Sequence, residues 1–184
     1  MIYRAFQDLQ LSNLGLGAMR LPVLDGDDSR IDEAAVFRMV DLAMAGGVNY
    51  YDTAWGYHDG HSEVVLGKAL ARYPRERFFL ADKFPGYDLA NMGKAEQIFE
   101  EQLRRCGVDY FDFYLFHNVC EMNIDAYLDD GKYRTYSFLT AQKRADRKSL
   151  AIGIASPDFP PIIHRPQPAV KGTAPLAKTY HAIY

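Results

Sequence analysis

The stretch "VNYYDTAWGYHDGHSE", Val48 to Glu63, decides how the rest of the chain is read. Val48–Asp52 is an apolar run of strand length that stops on a carboxylate. The chain's single tryptophan, Trp55, follows it, and then Tyr57. Gly46-Gly47 before the run is a helix stop, and Ser62 after it is placed to N-cap a second helix. The stretch therefore predicts a helix end, a buried strand, a polar and aromatic loop, and a helix start.

The same unit recurs on both sides. "IDEAAVFRMVDLAMAGG" (31–47) has Val36, Met39, Val40 and Ala43 at helical spacing behind an acidic first turn. "HSEVVLGKALARY" (61–73) repeats that spacing with Val65, Ala69, Leu70 and Tyr73, and "GKAEQIFEEQLRRCG" (93–107) with Ala95, Phe99, Leu103 and Cys106. "LSNLGLGAM" (11–19), "RFFLADK" (77–83) and "YFDFYLFHN" (110–118) are strand-like. "IDAYLDDGKYRTYSFLTAQKR" (124–144) is mixed, with a helix in its second half. Strand and helix alternate with a period of roughly thirty residues, the length of a βαβ unit. That alternation requires parallel strands joined by right-handed crossovers. An open doubly wound sheet and a β/α barrel both satisfy it, and the barrel typically needs about 250 residues.

The composition is that of a globular protein, 48% hydrophobic and 24% charged, and the net charge of −3 gives no case for nucleic acid or an anionic membrane. Cys106 and Cys120 fit neither a metal-ligand spacing nor a disulfide framework. The N-terminus lacks the apolar core of a signal peptide, and no run has the length of a membrane span. A cytoplasmic location is expected. Six of the nine prolines lie between Pro157 and Pro175, and no glutamate follows Glu121. "SLAIGIAS" (149–156) is a candidate fifth strand; beyond Ser156 no helical or strand period is visible. Residues 1–145 are read as the folded unit and 146–184 as a divergent, disordered tail.

Three successive strands finish on ionisable residues: Asp52, Lys83 and His117. In parallel α/β folds the C-terminal strand ends form one face, where function gathers. Neighbouring strands are about 5 Å apart, so the three side chains can converge, with Tyr57 folding over them from its loop. A free tyrosine, with its pKa of about 10, is a poor proton donor at neutral pH. A lysine cation beside it favours the phenolate, and an aspartate holds the lysine charged and aimed. The tyrosine then becomes a usable general acid, and a histidine can hydrogen-bond the same substrate oxygen. The set suits protonation of a carbonyl oxygen while a nicotinamide cofactor delivers hydride, which no side chain can do.

"GVNYYDTAWGYHDGHSEVVLGKAL" resembles the aldo-keto reductase signature, "FFLADK" the family's third strand with its lysine, and "YFDFYLFHN" the fourth with its histidine. "LGLGAMRLP" resembles the first strand, and "MIYR" with "SEVVLGKAL" is most similar to bacterial predicted oxidoreductases of the family. The resemblance covers about residues 1–145. It implies a partial (β/α)8 TIM barrel of about four to five βα units. It also implies a catalytic tetrad of Asp52, Tyr57, Lys83 and His117, with Tyr57 the proton donor, and NADP(H) across the barrel mouth. Gly17, Ala18, Met19 and Asp52 would approach the cofactor, Trp55 and His117 would line the pocket of a small carbonyl substrate, and no metal is involved.

The family's cofactor contacts from strands five to eight are not found in the text, and neither is a cysteine cluster for an iron–sulfur centre. A truncated or frameshifted second half is expected. One permitted back-translation of Ile154–His164, read out of frame, contains G-F-S-A-H, similar to the family's fifth strand end. A half barrel leaves open edges, through which the chain is expected to associate with itself. Activity of the 184 residues is expected to be weak or absent. Two other readings stand beside this one. The first is a non-catalytic binding or regulatory fragment that completes its barrel with a partner. The second is a metal-dependent hydrolase using His58, His61, Asp52 or His117, disfavoured because "HDGH" reads as exposed turn residues.

Overall fold

A computed structural model describes residues 1–142, 151–156, 159–163 and 181–182. Its strands are β1 (Tyr3–Phe6), β2 (Leu9–Ser12), β3 (Leu16–Gly17), β4 (Tyr50–Asp52), β5 (Phe79–Phe84), β6 (Phe113–His117), β7 (Ala151–Ser156), β8 (Phe159–Ile163) and β9 (His181–Ala182). The helices are α1 (Glu33–Ala45), α2 (Ser62–Leu70), α3 (Ala95–Cys106), α4 (Ile124–Leu128), α5 (Asp130–Tyr133) and α6 (Thr135–Ala141). Strands β3 to β7 lie side by side in chain order, all parallel. This is a partial barrel wall with α1, α2 and α3 in its crossovers.

Helix limits follow local chemistry. Asp32 caps α1 by accepting the Ala35 N–H at 2.9 Å, and α3 ends where Gly107 takes a left-handed φ of 65°. Ser62 differs from its expected role. It is the first residue of α2, and its hydroxyl donates to the Ala18 carbonyl (2.9 Å) and lies 3.0 Å from the Thr53 hydroxyl. It ties the ends of β3 and β4 together instead of capping a helix.

Alternation along the strands sorts the side chains. Tyr51, Leu80, Tyr114 and Phe116 point to the helices, packing with Val40, Leu66, Phe99 and Leu103. Tyr50, Phe79, Ala81 and Phe113 point to the other, interior face. Each wholly buried Leu or Phe contributes about 1.5–3 kcal/mol. The antiparallel β1–β2 hairpin covers the N-terminal end of that interior, with Phe6, Leu9 and Leu11 against Ala81 and Phe113. Asn49 fixes it there: its side chain accepts the Ser12 N–H (2.7 Å) and donates to the Gln10 carbonyl (2.8 Å). The C-terminal ends of the strands carry Asp52 and His117.

Two short stretches of the expected tail beyond Ser156 are among the described residues. Phe159–Ile163 pairs antiparallel with β7, and His181–Ala182 pairs with β8. Pro160 and Pro161 hide the strand in sequence because they cannot donate to a ladder. They sit where the β7–β8 register shifts. The remainder of the proposed disordered tail lies outside the described residues. No helix among the described residues is long and apolar enough to cross a membrane.

Candidate active site

The parity that turns Tyr50, Phe79 and Phe113 to the interior face puts Asp52, Lys83 and His117 on that same face, further along each strand. Register makes them neighbours: Gly17 is opposite Asp52, Asp52 opposite Ala81, and Lys83 opposite Leu115, with His117 at the end of β6. Tyr57 comes from the loop after β4.

The centre of the site is the Lys83 ammonium, 5% exposed. It donates to the Asp52 carboxylate, to the Thr53 carbonyl at 2.8 Å and to the Tyr57 hydroxyl at 3.1 Å. All three of its N–H bonds are used, so its position is determined. Burial works against the Lys83 cation, but Asp52 and then Tyr57 outweigh it and hold its pKa above the ordinary value. Burial pushes the Asp52 carboxyl up, and the ammonium in contact with it opposes this. The contact keeps the pair ionised, because neutralising either partner would strand the other in a dry site.

The ring of Tyr57 meets that of His117 edge to face, centroids 5.8 Å apart, and Tyr87 packs on His117 in the same way at 5.2 Å. Burial, and then Lys83, lower the His117 pKa to about 4, so the imidazole is neutral at pH 7. Its Nδ1 is buried without a hydrogen-bond partner among the described residues. A neutral donor, a phenol and a fixed cation therefore face one small volume.

Residues 13–133 match the Aldo/keto reductase family. The chain belongs to this family. The NADH-specific methylglyoxal reductase of Escherichia coli (strain K12) is 33% identical over 130 residues, covering 60% of this chain and 39% of that protein. Methylglyoxal reductase YeaE of the same organism is 34% identical over 110 residues, covering 60% and 36%. Among solved structures, the aldo-keto reductase AKR11C1 from Bacillus halodurans (holo form) is 27% identical, with a TM-score of 0.65 over 85% of this chain and 51% of that one. The chain thus spans about two-fifths or less of the length of these curated relatives. It is an aldo/keto reductase chain by family, and its neighbours are reductase barrels.

Of the residues expected to serve an aldo/keto reductase cofactor, Gly17 lies in register with Asp52, and a Cβ there would meet nothing within 4 Å. That open backbone beside the tetrad fits a flat nicotinamide ring. Ala18 is wholly buried, with its carbonyl held by Ser62. Met19 exposes its side chain. The Trp55 indole stacks under the Arg105 guanidinium at 3.9 Å. It lines a groove of about 550 Å3 with Asn91, Lys94, Ile98 and Arg104, toward α3.

His58 corrects the reading of "HDGH" as exposed turn residues. It is 2% exposed. Its Nε2 accepts the Leu21 N–H at 2.9 Å, and its Nδ1 is 3.0 Å from Asp28. His58 and Asp59 both take φ of 53°, which turns the imidazole inward under the Leu21–Asp28 loop. Its ring nitrogens are therefore already used. Among the described residues no group of His, Cys, Asp and Glu is placed to hold a metal ion.

Sequence reasoning missed a buried polar cluster behind the site: Asp82, Glu63 and Gln102, each wholly buried. One signal was available, since Asp82 falls at a helix-facing position of an apolar strand.

Proposed function

We propose that the site reduces an aldehyde or ketone to an alcohol, with Tyr57 as general acid and NADP(H) as cofactor. The observation that carries this reading is the Lys83 ammonium bonded at once to Asp52, Thr53 and Tyr57. The open backbone at Gly17, beside Asp52, supports Gly17, Ala18, Met19 and Asp52 as the cofactor's neighbours. When bound, the nicotinamide supplies the hydride that the carbonyl carbon accepts.

The rest of the work falls to side chains. As the carbonyl π electrons move onto oxygen, Tyr57 gives that oxygen its phenolic proton. Lys83 donates to the phenolic oxygen and stabilises the negative charge left there. Asp52 keeps Lys83 charged and aimed. Neutral His117 has one N–H to offer the same substrate oxygen, and being uncharged it does not compete for the proton. The product has gained a hydride on carbon and a proton on oxygen, so the two-electron reduction balances.

Small dicarbonyls of the methylglyoxal kind are the first substrates to test, from the activity in the names of the two E. coli relatives. One of those is named as NADH-specific, so both nicotinamide forms belong in the assay. For the 184 residues alone we expect slow turnover. The test is NADH or NADPH oxidation with methylglyoxal, comparing this chain with Tyr57→Phe. General-acid loss lowers the rate by at least about a hundredfold; an undiminished rate removes Tyr57 from the mechanism.

A further inference from the structure

Lys83 has a second set of contacts, on its backbone. In a parallel ladder, alternate residues bond to alternate neighbours. The Ala81 carbonyl accepts from Thr53, toward β4, and the Leu80 carbonyl accepts from Asp112, toward β6. Lys83 therefore presents its N–H and C=O toward β4, which has already ended at Asp52. Buried amide groups with no ladder partner must be satisfied otherwise. The Asp82 side chain accepts the Lys83 N–H at 2.8 Å, and Gln102 donates to the Lys83 carbonyl at 3.1 Å.

These two groups belong to a closed network. The same Gln102 nitrogen lies 2.8 Å from Asp82 Oδ1 and 2.8 Å from Glu63 Oε1. The Gln102 amide oxygen accepts from the Tyr114 hydroxyl. Glu63 Oε2 accepts from Arg105 at 2.9 Å, and the Cys106 thiol is 3.7 Å from Asp82 Oδ2. Both carboxyls are wholly buried and meet at one amide nitrogen, where two like charges would repel, so one proton held by the pair relieves the repulsion. The groups around the pair are Glu63 from α2, Gln102, Arg105 and Cys106 from α3, Tyr114 from β6, and Lys83 and Asp52 beyond β5. The Asp52 carboxylate is already matched by Lys83, so among the described residues Arg105 is the cation beside this pair; it lies on Glu63 and is shared with Glu101.

We propose that Asp82 is kept as a carboxylic acid donating to the Glu63 carboxylate, and that this one-proton pair, with Gln102, is the positioning device that holds the Lys83 backbone and so aims its ammonium at Tyr57. The proposal rests on the role assigned to Lys83 above. Burial first, and then the Glu63 charge, push the Asp82 carboxyl well above the carboxylate range. Burial also raises Glu63, but Gln102 and Arg105 oppose that directly. Arg105 pairs with Glu63, and among the described residues no cation pairs with Asp82, so the proton is assigned to Asp82.

Isotope-edited infrared spectroscopy with 13C-labelled Asp tests the proton, and NMR of [ε-13C]lysine with amide hydrogen exchange tests the positioning. At pH 7 the intact chain should show one carboxylic-acid C=O band that Asp82→Asn abolishes. In Asp82→Asn the amide can still donate to Glu63 and accept from Lys83, so the Lys83 ε-carbon signal should stay in place. Asp82→Ala should move that signal and speed exchange of the Lys83 amide by about tenfold, the equivalent of one lost hydrogen bond. If Asp82→Ala does not fold, the wild-type Lys83 amide decides: slow exchange supports the positioning bond and fast exchange overturns it. Absence of the acid band, or an Asp82→Asn variant that moves Lys83 as far as Asp82→Ala does, also overturns the proposal. These readouts need no cofactor and no turnover, so a failure of the reductase reading is seen separately.

Discussion

The Lys83 ammonium stands 3.1 Å from the Tyr57 phenolic oxygen and, in the same coordination, against the Asp52 carboxylate. Strand register produces this: Asp52 is paired with Ala81, two residues before Lys83 on the same face of β5. The tyrosine needs only the short loop after β4 to reach the cation. A phenol, a cation and that cation's counter-ion are thus held by two adjacent strands and the loop between them.

Breaking the ion pair from one side should cost more than replacing both partners. Asp52→Leu leaves the nearly inaccessible Lys83 cation without its counter-ion, an expected loss of about 3 kcal/mol. Asp52→Leu with Lys83→Met should be less destabilised than the two single variants together. Urea unfolding of the four proteins measures the coupling; strict additivity would mean that the pair is not coupled.

Acid should weaken the fold through His117. Its pKa is about 4 when folded, against an ordinary value of 6.5. Between those values the unfolded chain binds a proton that the folded one refuses. The contribution is complete above about pH 6.5 and is lost as pH falls toward 4, about 2 kcal/mol after allowing for partial exposure. His117→Gln should flatten the urea midpoint between pH 7 and pH 4.5. An unchanged slope would assign that acid sensitivity to other groups.

Gly67 sets how closely α2 meets α3. A Cβ there would lie 2.7 Å from the Cys106 carbonyl carbon and 2.8 Å from its Cα, both backbone atoms that cannot swing away. Gly67→Ala should cost about 1–3 kcal/mol as an overpacked contact, seen as a lower thermal midpoint. It should also disturb the Glu63–Gln102–Arg105 network, which bridges those helices. A midpoint equal to wild type would show that the helices can separate without penalty.

Among the described strands of the sheet, β3 and β9 are the outermost. We expect these edges to support self-association, because exposed strand edges pair readily. Sedimentation velocity across a concentration series should show a rising weight-average mass. A constant monomer mass would contradict this.

Much of the fold was legible because alternation and strand ends are local properties. Asp52, Lys83 and His117 could be brought together from their places at three successive strand ends, and Tyr57 from its distance after Asp52. The parts that were not legible depend on packing between elements. Nothing near His58 in sequence marks it as buried; the Leu21–Asp28 loop that covers it comes from elsewhere in the chain. Ser62 carries a helix-cap signature, yet the nearby Ala18 carbonyl takes its hydroxyl. Asp82, Glu63 and Gln102 come from three elements and meet only when α2 and α3 dock on β5. β8 contains two prolines, so its pairing with β7 left no alternation to read.

The central claim is that Tyr57, activated by Lys83, protonates a carbonyl during hydride transfer. The most direct measurement is the rate of NADH or NADPH oxidation by methylglyoxal with this chain and with Tyr57→Phe, both first shown to be folded by circular dichroism. The account predicts a slow rate for the wild-type chain that falls by at least about a hundredfold in Tyr57→Phe. A Tyr57→Phe rate equal to wild type would contradict it.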